Sequence, residues 1–251
     1  MSPVLIKTHQ IAAQQPVFDP VADGRKRVER HLASLFRTGS DARGTLHAAM
    51  QDATLAGGKR VRPILCLLVN RATGGANEQF ALAAGAAVEL VHCASLILDD
   101  LPCMDDAALR RGRPAVHRAH GEASAILASI ALMNLGYEQI AKAPVDDENL
   151  RARAMRVLAD AIGTAGLVAG QDLDLHEKAY AQTPEELDEI NWKKTGVLFV
   201  AAAELGAIAG GATEREIDHV GEFAKHLGLA FQTRDDILDQ IGSSAQTGKD
   251  T

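Results

Sequence analysis

Apolar residues recur along this chain at three- and four-residue intervals, the spacing of one helix face. Alternating apolar and polar runs, the spacing of a strand, are absent, and aromatics make up only 4% of the residues. The pattern predicts helices at 22–37, 43–55, 59–73, 78–100, 119–142, 147–178, 184–210 and 213–242. Glycine and proline punctuate them at Gly74–Gly75, Pro102, Gly112, Pro114, Pro144 and Gly210–Gly211. "TPEE" at 183–186 reads as a helix start. Thr183 is the cap, Pro184 opens the first turn, and Glu185 and Glu186 suit the positive end of the dipole. Many segments are alanine-rich and apolar on more than one face, which suits the central helices of a large bundle. With no repeat, low-complexity stretch or linker in view, one all-α domain spanning 1–251 is expected.

Composition narrows the function. A chain of 251 residues, 47% of them apolar, can bury a large core. A net charge of −7 argues against a general nucleic-acid binder. Cys66, Cys93 and Cys103 fit no metal-ligand spacing and read as free thiols in a reducing, cytoplasmic setting. The first twenty residues lack a basic start, an apolar core and a cleavage site, so no secretory leader is expected. The longest apolar stretch, from Gly196, carries Glu204 in its middle and is predicted to be a buried helix, not a membrane span.

Charge is most unevenly placed in "LILDDLPCMDDAALRRGRPAVH", residues 96–117. Asp99, Asp100, Asp105 and Asp106 are followed by Arg110, Arg111 and Arg113. At 100° per residue, His92, Ser95 and Asp99 share one face of helix 78–100. Pro102 ends that helix, and the loop after it brings Asp105 back toward Asp99. A helix C-terminus is already negative, so unpaired aspartates there call for a cation. Hard divalent cations with oxygen ligands suit them, and Mg²⁺ prefers a few carboxylates with waters and substrate phosphates. A second cluster, "AFQTRDDILDQ" at 230–240, sets Asp235, Asp236 and Asp239 on one side of a helix, with Gln232 one turn earlier. Either cluster alone would equally suit a solvated face. Two clusters at the ends of apolar helices, facing across a cavity, could hold Mg²⁺ against a diphosphate.

Basic groups complete the picture. "GGKRVRP" at 57–63 places Lys59 and Arg62 at a helix start, where backbone N–H groups also favour an anion. Arg110 and Arg111 follow the first acidic loop, Lys193 and Lys194 precede an apolar helix, and Lys249 follows the second cluster. Together they describe two anionic subsites, one bridged by metal and one held by Lys and Arg directly. No Ser–His–Asp or Cys–His pattern suggests a side-chain nucleophile.

In order and spacing, "GGKRVRP", "DDLPCMDDAALRRGRP", "GQDLDL", "KKTG" and "FQTRDDILD" resemble the trans-isoprenyl diphosphate synthases. The resemblance runs from about residue 25 to the last residue. It is nearest to the bacterial-type geranylgeranyl diphosphate synthases, whose first aspartate motif carries two extra residues, here within "LPCM". It implies an isoprenoid-synthase helical bundle around a deep cavity, in a homodimer. It implies Mg²⁺-dependent head-to-tail condensation of isopentenyl diphosphate with dimethylallyl, geranyl or farnesyl diphosphate. Asp99, Asp100, Asp105, Asp235, Asp236 and Asp239 would hold Mg²⁺ and the allylic diphosphate. Arg110, Lys194, Gln232 and Lys249 would contact that same diphosphate. Lys59, Arg62, His92 and Arg111 would hold isopentenyl diphosphate. Thr195 and Gln171 match cavity-lining positions, and Phe231 matches an aromatic beside the isopentenyl site.

In the family this chain resembles, the growing product extends down beside the helix before the first motif, so the resemblance ties product length to that helix. Ser95 and Ala94 lie about 6 to 7.5 Å below Asp99 at 1.5 Å per residue. Both are small, so a fifteen-carbon chain should pass, and geranylgeranyl diphosphate is the expected product. Leu90, Val91 and helix 119–142 would close the pocket deeper down. A farnesyl diphosphate synthase is the nearest alternative. A non-catalytic prenyl synthase subunit would usually lack aspartates that are present here, and a terpene cyclase would not need Lys59, Arg62 and Arg111. Members of the family also continue beyond "GKD" with a lysine-bearing loop and C-terminal helices, which this 251-residue sequence does not contain.

Overall fold

A computed structural model describes residues 18–37, 44–176 and 183–241. Side chains at 184, 185, 188, 235, 236 and 238–241 lie outside that description. As the spacing predicts, the described chain is helical, with one small hairpin.

The helices are α1 (Pro20–Leu35), α2 (Thr45–Leu55), α3 (Val61–Ala72) and α4 (Glu78–Asp99). After the hairpin come α5 (Val116–His120), α6 (Glu122–Lys142), α7 (Glu148–Ile162), α8 (Leu167–His176), α9 (Pro184–Asn191), α10 (Val197–Gly210) and α11 (Glu214–Ile241). Their ends follow local chemistry. The Asp19 carboxylate accepts from Val21 N and Ala22 N and caps α1. Thr183 and Glu186 exchange backbone-to-side-chain bonds at 3.2 Å, the reciprocal cap that "TPEE" predicts. Thr213 and Glu216 repeat the device at the start of α11.

α4 is the axis of the bundle, and α3, α6 and α10 pack around it. Its own sequence explains this, since Ala, Gly, Leu and Val leave few polar groups to satisfy. Close approach depends on missing side chains. A Cβ on Gly206 of α10 would strike the Cys66 backbone of α3, and one on Gly136 of α6 would come 3.2 Å from Ala87 O of α4. α4 is long and apolar enough to cross a membrane by length and composition, yet most of it is buried inside the bundle. The apolar stretch from Gly196 forms α10, buried along most of its length.

Three details depart from the expected helices. The range 147–178 is broken at Gly163–Gly166, where α7 ends and α8 begins. An added Cβ at Gly166 would collide with Ala161 O, so the chain turns sharply there. The range 184–210 contains a π-helical turn at Trp192–Gly196 between α9 and α10. Between α4 and α5 lie β1 (Leu109–Arg110) and β2 (Arg113–Pro114), paired antiparallel with Arg110 opposite Arg113. Arg111 (φ 54°) and Gly112 (φ 73°) form the two-residue loop between them, both in the left-handed region that tight hairpins require.

Candidate active site

α4 delivers the first acidic cluster. One face of the helix, carrying His92, Ser95 and Asp99, lines a cavity of about 1050 Å³. The loop after α4 folds back because Asp105 N donates to Asp99 O (2.9 Å) and Asp106 N donates to Leu101 O (3.0 Å). That closure brings Asp105 to the cavity beside Asp99. Burial pushes Asp99 up from an ordinary aspartate's 3.8 to about 6; Lys194 pulls the other way, and the neighbouring Asp105 adds to the rise.

Asp100 is placed differently from its neighbour. Its side chain is 2% exposed and is gripped by Arg110. Arg110 Nε donates to both Asp100 carboxylate oxygens at 3.0 and 3.1 Å, and Nη2 adds a further bond. Asp100 is not on the wall of the large cavity, whereas Arg110 is. Of the three expected ligands in the first motif, Asp99 and Asp105 border the cavity, while Asp100, one helical position on from Asp99, faces Arg110 and anchors it.

Lys194 reaches the acidic side from the π-helical turn. Its Nζ donates to Asp174 Oδ2 at 2.6 Å and lies 3.7 Å from Asp99 Oδ1. Burial alone would lower this ammonium; Asp99 and Asp174 outweigh it and hold its pKa above the usual value. The widened turn lets consecutive Lys194 and Thr195 both line the cavity, while Lys193 pairs with Glu189 of α9 at 2.7 Å. Gly170 of α8 makes this possible, since a Cβ there would run into the Lys194 backbone. Gln171, the next residue, lines the cavity.

The basic subsite sits where the chain enters α3. Lys59, Arg62, His92 and Arg111 all border the cavity. Arg111 Nη1 donates to Gly57 O, and its guanidinium lies flat against Gly58, 3.1 Å from where a Cβ would stand. Burial, then Arg62, Arg111, Arg110 and Arg60, hold His92 well below the usual imidazole range, so it is neutral at pH 7. From α11 come Phe231 and Gln232. Lys59 Nζ stands 4.9 Å above the Phe231 ring, and Arg62 lies 4.5 Å over Phe199.

Ala94 is not a cavity residue. It is fully buried, and its carbonyl accepts from Ser129 Oγ of α6 at 3.0 Å. Ser95, 100° further round the helix, is on the wall. Of the two expected chain-length positions, Ser95 lies on the cavity wall and Ala94 in the core behind it. Leu90 and Val91 are likewise fully buried and absent from the wall, while Met133 of α6 contributes to it. Asp235, Asp236 and Asp239 lie on the last turns of α11, but their side chains fall outside the described residues, as does Lys249.

Three residues that line the cavity or bond to its lining escaped the sequence reading. Asp174 stands inside "GQDLDL", where no spacing rule singles it out. Arg25 of α1 reaches Gly58 O at 2.8 Å, across 33 residues. Arg60 stands between Lys59 and Arg62 in sequence yet points inward, to Glu29 and Glu89.

Among the described residues no three His, Cys, Asp or Glu groups converge as a closed metal site. Asp99 and Asp105 nevertheless fit Mg²⁺, which uses one or two carboxylates and completes its shell with water and phosphate oxygens. Two carboxylates whose proximity raises Asp99 are a donor set that a hard cation relieves.

A family model described as Polyprenyl synthetase matches residues 43–251. Geranylgeranyl pyrophosphate synthase 4 of Arabidopsis thaliana is 49% identical over 207 residues, covering 81% of this chain and 55% of that protein. The heterodimeric geranylgeranyl pyrophosphate synthase large subunit 2 of the same organism is 44% identical over 236 residues, covering 92% and 62%. The chain thus spans 55% to 62% of the length of these relatives. Among solved structures, a geranyltransferase from Helicobacter pylori complexed with magnesium and isoprenyl diphosphate superposes with a TM-score of 0.84 at 29% identity, covering 96% of this chain and 81% of that one. A geranyltransferase from Legionella pneumophila gives 0.82 at 36% identity, covering 87% and 78%.

Proposed function

The chain belongs to the polyprenyl synthetase family, and from that premise we propose that it joins isopentenyl diphosphate head-to-tail to an allylic diphosphate. Geranylgeranyl diphosphate is the proposed main product. The observation that carries this reading is a single cavity with two differently charged anion sites. One has the Asp99–Asp105 pair flanked by Lys194 and Arg110; the other is lined by Lys59, Arg62 and Arg111.

Mg²⁺ bound by Asp99 and Asp105 would supply Lewis-acid charge to a leaving diphosphate. Lys194 and Arg110 would take up negative charge as the allylic C–O bond breaks. Their positions are fixed beforehand by Asp174 and Asp100. Lys59, Arg62 and Arg111 would hold the diphosphate of the second substrate, and neutral His92 would donate a hydrogen bond to it. The double bond of that substrate attacks C1 of the allylic group, forming a carbon–carbon bond. One proton is then lost to the released diphosphate, so charge and atoms balance without a dedicated side-chain base. Leu98, Met133, Leu167 and Val168 would give the growing chain apolar side chains to lie against.

The product assignment rests on Ser95, a small side chain on that wall four residues before Asp99. The proposal extends to a homodimer. Ile126, Leu127 and Ile130 leave an apolar face of α6 exposed at 42%, 55% and 60%, which a second copy would cover. Sedimentation of Ile130→Glu beside wild type tests this, with a shift to monomer expected. The activity test is mass spectrometry of products from isopentenyl diphosphate with dimethylallyl, geranyl or farnesyl diphosphate and Mg²⁺. A twenty-carbon product from farnesyl diphosphate supports the reading. A product that stops at fifteen carbons refutes the assigned length, and loss of turnover on chelation supports the metal.

A further inference from the structure

Arg60 has the least ordinary environment of any cation in the described chain. Its side chain is fully buried. Its backbone is left-handed, φ 53°, at the residue that opens α3. L-residues rarely adopt that conformation, and glycine would do so at no steric cost. The arginine is therefore accounted for by its side chain. Three of its nitrogens are satisfied at 2.7 Å each, by three different elements. Nε donates to Glu29 of α1, Nη1 donates to Glu89 of α4, and Nη2 donates to Thr54 O near the end of α2.

The corner that Arg60 nails down also carries the basic subsite. Lys59 precedes it and Arg62 follows two residues later, and both border the cavity. Neighbouring carbonyls are drawn away by other arginines: Gly57 O accepts from Arg111, and Gly58 O accepts from Arg25. An anion at this corner would therefore meet cations while the carbonyl oxygens are occupied. Two of these ties, Arg25 and Glu29, come from α1, which lies outside the residues 43–251 matched by the family model.

We infer that Arg60 is a positioning residue, clamped by Glu29, Glu89 and Thr54 O, that sets Lys59 and Arg62 for the metal-free diphosphate. This rests on the reading of that corner as the isopentenyl diphosphate subsite. Burying a guanidinium beside two carboxylates is a poor way to gain stability alone. A planar fork reaching three elements is a good way to fix a geometry.

The test separates two ligands. Isopentenyl diphosphate binding is measured by calorimetry without metal. Binding of geranyl S-thiolodiphosphate, an unreactive allylic analogue, is measured with Mg²⁺. Arg60→Lys keeps the charge and loses the fork. Arg60→Gly keeps the backbone conformation and loses the clamp. Glu29→Gln, at a side chain 37% exposed, weakens one tie and guards against a folding failure in the others. The Arg60 variants are expected to weaken isopentenyl diphosphate on the order of tenfold, the effect of losing one charge-assisted bond. Glu29→Gln should move the same way by less, and the allylic analogue should bind as to wild type. Unchanged isopentenyl diphosphate affinity in Arg60→Gly or Glu29→Gln overturns the inference, as does an equal loss for both ligands. If folded wild type binds the allylic analogue but no isopentenyl diphosphate, the subsite reading itself fails and the inference with it.

Discussion

Replacing Asp99 by asparagine is expected to make the ligand-free protein more stable. Asp99 is 9% exposed, and its carboxyl titrates near 6 instead of 3.8 because burial disfavours its charge. The sign follows from proton counting. Between those two values the folded state holds a proton that the unfolded state has released, so stability falls as pH rises through that window. Below 3.8 the group contributes nothing; above 6 its penalty is constant. A shift of about two units corresponds to about 3 kcal/mol at pH 7.5, and to about 1 kcal/mol at pH 4.5. Asparagine has nearly the same shape and no charge. Lys194 keeps Asp174 as its partner at 2.6 Å, so the substitution leaves no orphaned ammonium. Urea unfolding in chelator, with both proteins at both pH values, measures the difference directly. The Asp99→Asn advantage should grow by about 2 kcal/mol from the lower to the higher pH. A variant equally or less stable at pH 7.5 refutes the reasoning. With Mg²⁺ and inorganic diphosphate added, the order should narrow or reverse, since only wild type offers the charged ligand.

Further outcomes test other parts of the site. Ser95→Phe should shorten the main product to fifteen carbons, read by mass spectrometry. Ala94→Phe should instead destabilise the fold by about 1–3 kcal/mol, because it overpacks the contact between α4 and α6. Asp100→Ala leaves the Arg110 guanidinium without its buried partner and should cost about 3–5 kcal/mol in unfolding experiments. Asp105→Ala, at an exposed side chain, should leave stability within about 0.5 kcal/mol and weaken Mg²⁺-dependent binding of the allylic analogue. Gly170→Ala should lower Tm and that same binding together, since its methyl displaces the Lys194 backbone.

What was legible in the sequence was phase. The period of helix 78–100 put His92, Ser95 and Asp99 on one face, and that face lines the cavity. Residue type alone could not separate Asp99 from Asp100, because the distinction needs Arg110 to return across ten residues on a hairpin. That hairpin was invisible, since two-residue strands have no alternation to detect. Its turn also places Arg111 at positive φ, where composition suggests glycine. The break at Gly163–Gly166 was missed for a different reason: apolar periodicity continues across it, and the turn depends on a close approach of Gly166 to Ala161 O that leaves no room for a Cβ. Ala94 and Ser95 looked interchangeable by distance along the axis, but their rotation about it sends one into the core.

The π-helical turn at Trp192–Gly196 carries one residue more than an α-helical turn would, and so works as a phase adjuster. Upstream, α9 answers to the rim; downstream, α10 answers to the core, and neither half dictates the other's rotation. Deleting a single residue here would restore a continuous α-helix and remove the widened turn through which consecutive Lys194 and Thr195 both face the cavity. That pair would then lose its orientation. Length at this point is thus as restrictive as sequence: a conservative substitution nearby is tolerable, while a one-residue deletion is not.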